Sequence, residues 1–465
     1  MENKLIVPGQ SRTLASVLGV MIVVFAALTL IAGLPPADQR TNFVLGIIVL
    51  IAVIAGIGLL GWHFLLRPLP ANIQVVAQPL LTARTRQIIA LILTLGVLSI
   101  GIAGVWDEIW HVKYGIPFGQ DFFWRPHLML YFGLSTLAIV GGWSWWTLMT
   151  RGKGTLQQRF RANPLMGITF LGGLFTVYAV GADPIWHKFY GTDLAPWSLP
   201  HLLILMLVFW MSLLAIAYHK TLMPQRDWRL KFNFHWRDIL IVFVMVGGLL
   251  DFMLIFTIQW YGASSGAKQM AQVMSYPVWM LAVFITFLVT LFGVTVLHAT
   301  RQIGSATLVG VLTFAIRLLL DTGLSGVRSG IPPLWLILPM MVALDIWYAL
   351  AIRRTQKPPV YWTTAIVLAA VFAIVCVPIT SVVFPFLPLT PLNIVGMVVA
   401  SLVVAAGGVW LGQFVGGMSA YGGAEAAPAA ASQTTAVPRS WSSALLYVAF
   451  LAFVVIFVAT ATPPV

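Results

Sequence analysis

Six residues of this chain have the types and the spacing to do chemistry, and they come in two matched sets. Asp107, His111 and His127 lie in the segment VWDEIWHVKYGIPFGQDFFWRPHLMLYFG, and Asp183, His187 and His201 lie in GADPIWHKFYGTDLAPWSLPHLLILMLVF. Both segments read D-x-I-W-H-x-x-Y-G, then a Trp, then P-H-L. Trp110 pairs with Trp186, Tyr114 and Gly115 with Tyr190 and Gly191, and Pro126 with Pro200. An Asp and a His four residues apart on a helix stack one turn apart on the same face. Proline suits the first turn of the next helix, which also places the following His in that turn. Two antiparallel helices joined by a short loop bring such ends together. Each set therefore offers one carboxylate and two imidazoles, a ligand set for copper, zinc or iron. The competing reading makes these histidines hydrogen-bonding or snorkelling groups and the Asp residues caps of loop amides. It also makes Trp110, Trp124, Trp186 and Trp197 aromatic-belt anchors. Four of the 8 histidines fall at matched positions of the repeat, which scatter would not produce.

The elements that must position these residues are membrane spans. The chain has 465 residues, 60% hydrophobic and only 8% charged, against about 25% charged in soluble proteins. Its one cysteine, Cys376, excludes an intrachain disulfide and a cysteine metal cluster. About thirteen apolar segments are long enough to cross a bilayer: 13–34, 43–66, 87–106, 126–149, 164–182, 200–218, 238–260, 277–298, 305–324, 333–352, 360–384, 392–416 and 443–462. The expected fold is an all-α polytopic membrane bundle over 1–416, with tandem parallel helical hairpins at 87–149 and 164–218. Hairpins 238–298 and 305–352 read as degenerate copies, residues 417–442 as a flexible linker, and 443–465 as a loosely attached last helix. The first segment is longer than a signal-peptide core and is expected to be retained.

The formal charge is +13, from 26 Lys and Arg against 13 Asp and Glu. With the N-terminus inside, only Arg40, Lys113, Arg125, Lys188, Lys268 and Arg328 fall in outer loops and Arg317 falls within a span. The other basic residues lie on inner segments, so the excess sets orientation and does not call for a nucleic-acid partner. Both Asp–His–His loops then face outward. The expected location is a bacterial or archaeal cytoplasmic membrane, with the lipid bilayer as the certain partner and other membrane subunits or a second copy as further ones. Four ionisable residues fall within or near span interiors. Arg317 and Asp321 are four apart and read as an intrahelical ion pair. Asp251 and Asp345 have no sequence-local partner and are candidates for a proton or ion pathway. His63, His219, His235 and His298 read as interfacial residues near inner ends of spans.

The order Asp, three residues, His, about a dozen residues, His, with a Pro beside the last His, resembles the C-type subunit of the copper membrane monooxygenases, the particulate methane and ammonia monooxygenase group. Asp183, His187 and His201, with HKFYGTDLAPWSLPHLL, carry the resemblance best; Asp107, His111 and His127 match with a longer loop. It covers roughly 25 residues in each copy. What it implies is copper held by an Asp and two His on adjacent helices, where oxygen activation has been proposed. The family's subunit is shorter, carries the motif once, and works beside a soluble copper domain that nothing here could form. Metal ligation is therefore implied, and hydroxylation of methane or ammonia is not. Three readings follow: a copper-binding membrane oxidoreductase or its relative, a proton-coupled secondary transporter, and a structural subunit whose histidines bind haem or a pigment.

Overall fold

A computed structural model describes residues 40–67, 80–114, 123–190, 199–223, 226–264, 278–324, 333–385, 387–418 and 441–461. These are all-helical, with one isolated bridge between Arg229 and Gln302 and no strand among the described residues. We number the helices α1 (Arg40–Gly61), α2 (Ala83–Tyr114), α3 (Arg125–Arg151), α4 (Leu156–Ala162), α5 (Pro164–Tyr190), α6 (Leu199–Lys220) and α7 (Trp236–Ser264). There follow α8 (Trp279–Thr300), α9 (Ser305–Leu324), α10 (Leu334–Thr355), α11 (Tyr361–Val383), α12 (Pro391–Met418) and α13 (Trp441–Ala459). π-helical turns interrupt α8 at Val289–Val294 and α11 at Phe372–Cys376.

Nine of these, α2, α3, α5, α6 and α8 to α12, are long and apolar enough to cross a membrane. Continuous helices are what apolar runs of this length must form, because lipid offers no partner for an unpaired backbone N–H or C=O. Side chains such as Ile139, Val177, Leu319, Ile374, Val382, Leu392 and Val403 are exposed, as a lipid-facing surface requires. The expected spans 43–66, 238–260 and 443–462 fall on α1, α7 and α13. The expected span 13–34 and most of the linker 417–442 lie outside the described residues.

The chain packs as two compact units, one of Met1–Thr82 with Ser135–Trp210 and one of Ala83–Leu134 with Met211–Val465. Each unit holds one of the two Asp–His–His sets. In the first unit, α3 and α5 meet where Gly141 opposes Gly173, and a Cβ on either would lie under 3 Å from the other's Cα. Phe160 of α4 stacks on Phe64 at 4.9 Å, and Trp145 on Phe170 at 4.6 Å. A reciprocal capping box of Thr155 and Gln158 starts α4.

In the second unit α2 is almost wholly enclosed. It lies against α7, where Gly101 faces Gly247 with no room for a side chain on either. Gly408, Gly412 and Gly416, one per turn of α12, face Thr290, Val294 and His298 of α8 in a small-residue seam. Arg125 reaches the last helix: its Nη1 donates to Phe457 O at 3.1 Å and to Thr460 Oγ1 at 2.8 Å.

Candidate metal centre

Asp107 and His111 project one turn apart from the last turns of α2, and His127 comes from the first turn of α3. Each oxygen of Asp107 faces one imidazole: Oδ2 lies 3.5 Å from His111 Nε2, and Oδ1 lies 3.2 Å from His127 Nε2. One ligand atom from each of the three residues lies within 4.8 Å of the others. Two ligands about 2.0–2.1 Å from one ion at a tetrahedral angle stand about 3.3 Å apart, so this spacing fits a metal ion. It also fits a carboxylate accepting an N–H from each ring. Asp107 and His111 are buried and His127 is half-buried, so the opening lies on the α3 side.

Aromatic rings wall the cluster. Trp124 meets His111 edge-on at 4.9 Å and His127 at 5.9 Å, and it packs on Trp110 at 5.5 Å. Trp106, one turn before Trp110 on α2, meets that ring at 5.1 Å and Phe457 of α13 at 6.0 Å. The belt reading fails for Trp110 and Trp124, which are buried in protein. Trp110 follows Asp107 by three residues on α2 and Trp124 packs on it and on both imidazoles, so the two rings shut solvent from the cluster.

The second set is only partly in view. Asp183 of α5 and His201 of α6 approach to 3.8 Å between Oδ1 and Nε2. The side chain of His187 and the loop carrying Trp197 lie outside the described residues. Both members of the visible pair are more exposed than Asp107. The residue after the carboxylate also differs. Glu108 follows Asp107, whereas Pro184 follows Asp183 inside α5, where it removes a backbone N–H from the helix.

Glu108 is the residue that the spacing argument missed. Its Oε2 lies 2.6 Å from Arg317 Nη1 of α9, while Arg317 Nε stands 3.5 Å from Asp321 Oδ2. All three are buried. The intrahelical pair is thus the longer of two contacts, and the shorter ties α9 to α2 beside the Asp–His–His cluster. The signal was an acidic residue next to Asp107 at the end of one apolar segment and a lone Arg within another.

The remaining candidates separate. Asp251 is buried on α7, one turn beyond Gly247. Asp345 Oδ1 accepts the Gly304 N–H at 2.8 Å and Oδ2 accepts the Thr307 N–H at 2.6 Å, so both oxygens cap the start of α9. His219 is a core residue rather than an interfacial one, and His298 is half-buried against aromatic rings. Thr94 Oγ1 donates to Ala90 O at 2.7 Å, so His219 Nε2–H donates to that hydroxyl at 3.0 Å. His298 Nε2 lies 3.2 Å from Tyr348 Oη, with Trp228 edge-on at 5.2 Å.

Comparison with protein-family models, with curated proteins and with solved structures gives no match.

Proposed function

We propose that this chain is an integral membrane protein that binds a transition metal, copper by preference, at Asp107, His111 and His127, and serves a membrane oxidoreductase system akin to the copper monooxygenases. The observation that carries the reading is the convergence of three ligand atoms within 4.8 Å in a buried, Trp-walled corner of two helices. Charge supports it. Asp107, Glu108 and Asp321 against Arg317 leave two negative charges when all are ionised, and a divalent ion balances them. Burial of uncompensated charge in the membrane is expensive, so the balance matters. A bound copper ion would supply electron transfer. The protein's own part would be to fix the ligands and keep water from all but the His127 side.

The outward orientation, from the Lys and Arg bias, favours copper, as does its place above zinc in affinity order. The matched segments support descent of hairpins 87–149 and 164–218 from one ancestor, with Asp183, His187 and His201 as a second site of the same kind. A bacterial or archaeal cytoplasmic membrane, partner subunits and the faded hairpins 238–298 and 305–352 belong to the same proposal. Haem or a pigment fits less well, since three donors this close leave no slot for a macrocycle. The transporter reading loses Asp345 to its capping role and keeps Asp251.

The test is elemental analysis with absorption spectroscopy on the detergent-purified chain. About one copper per chain that disappears in both His111→Ala and His127→Ala supports the reading. Metal content unchanged in both variants, or a Soret band in the wild type, overturns it.

A further inference from the structure

The Asp–His–His cluster sits at one end of α2. About 20 Å away along that helix, near Thr94 and His219, the other end of the second unit carries a different chemistry. There residues of the connection leading into α7 line an open cavity of about 310 Å³, formed by Arg226, Arg229, Asn233, Phe234, His235 and Trp236. We propose that this cavity binds a phosphate group.

The charge is built in and unbalanced. Arg226 Nη1 and Arg229 Nη2 both reach one oxygen of Asp238, at 3.3 and 2.5 Å, and the same oxygen accepts the His235 N–H at 3.0 Å. Asp238 is fully buried, so it holds the two guanidinium groups from beneath without neutralising both. Arg237 and Arg301 add positive charge, and the only other carboxylate of the connection, Asp227, is exposed. A guanidinium has five N–H donors. Asp238 takes one from each arginine, Asn233 O takes one more from Arg229 at 3.0 Å, and Arg229 Nε is buried with no hydrogen-bond partner among the described residues. His235 adds a donor. Its Nδ1 accepts the Arg237 N–H at 3.3 Å, which assigns the proton of the neutral ring to Nε2. The positive end of α7, which begins at Trp236, adds to the field.

The arrangement is anchored. Arg301 Nη1 donates to Arg226 O at 2.7 Å, Arg229 N to Arg301 O at 2.9 Å, and Ile303 N to Arg229 O at 3.0 Å. Paired guanidinium forks match the oxygens of a phosphate, which accepts several such donors at once. The cavity exceeds a bare phosphate ion, and Phe234 and Trp236 are among the residues that line it. The ligand is therefore an esterified phosphate, from a lipid headgroup or from a soluble phosphate ester.

Thermal unfolding of the full chain in neutral detergent tests this, with glycerol 3-phosphate in one arm and dioctanoyl phosphatidic acid in the other, each against chloride at equal ionic strength. The expected result is a rise in Tm with at least one probe, and the responding arm identifies the source. Arg226→Gln, at the more weakly held guanidinium, and His235→Ala should each weaken the responding probe about tenfold or more, since one charge-assisted hydrogen bond is lost. The proposal is overturned if neither probe shifts the wild type, or if whichever variant folds responds as the wild type does.

Discussion

The two Asp–His–His sets share spacing, flanking aromatics and a proline entry, yet they are held differently. Around Asp107 the structure supplies a nearly enclosed helix, two buried Trp rings and a carboxylate neighbour tied to a third helix through Arg317. Around Asp183 it supplies a half-buried pair at 3.8 Å and a proline in place of that neighbour. A ligand pattern decides which atoms can bind. The packing behind it decides how firmly they are aimed, and groups that hold the ligands in place are worth about 10–100-fold in metal affinity. The first set should be the tight site and the second the weak one.

The largest effect should come from the ligands. His111→Ala should remove the tightly held metal, while His201→Ala leaves most of it, as read by metal analysis after gel filtration. Equal losses would erase the distinction between the sets. Next comes the anchor. Breaking a buried ion pair from one side costs about 3–5 kcal/mol, so Glu108→Gln should lower the thermal midpoint strongly and loosen the first site, without touching the second. Gly101→Ala should follow, at about 1–3 kcal/mol of overpacking against Gly247. Trp124→Phe should cost about tenfold in metal affinity at the first site alone, by thinning its aromatic wall.

The smallest effect is a control outside both sets. Burial first, and then the Arg226 guanidinium, holds the His235 imidazole below its ordinary pKa of 6.5. The folded chain then binds fewer protons there than the unfolded one. That contribution to stability is full above about pH 6.5 and falls as the pH drops below it. His235→Gln should flatten this part of the pH dependence of the thermal midpoint equally in variants of either set.

Much of this was legible in the sequence because membrane helices obey a simple rule. Apolar runs of about 20 residues mark spans, and nine of the expected segments are such helices here. The convergence of Asp107, His111 and His127 followed from helical periodicity and a proline. What the spacing could not carry was lateral packing. Nothing local says that Glu108 meets Arg317, 209 positions away, or that Asp345 caps the helix starting at Ser305. Trp110 and His219 looked interfacial because depth along a helix is readable from sequence, whereas the direction a residue faces within a bundle depends on which helices are neighbours.

Helix α9 is a strut. At its start, Asp345 holds the Gly304 and Thr307 amides, and the preceding Ile303 amide is bonded to Arg229 beside the basic cavity. Its Arg317, about 20 Å further on, grips Glu108 next to the Asp–His–His cluster. A continuous helix resists stretching. Any axial slide of α9 must therefore shift the turn behind the arginines and the residue behind Asp107 together, by the same distance and in the same direction.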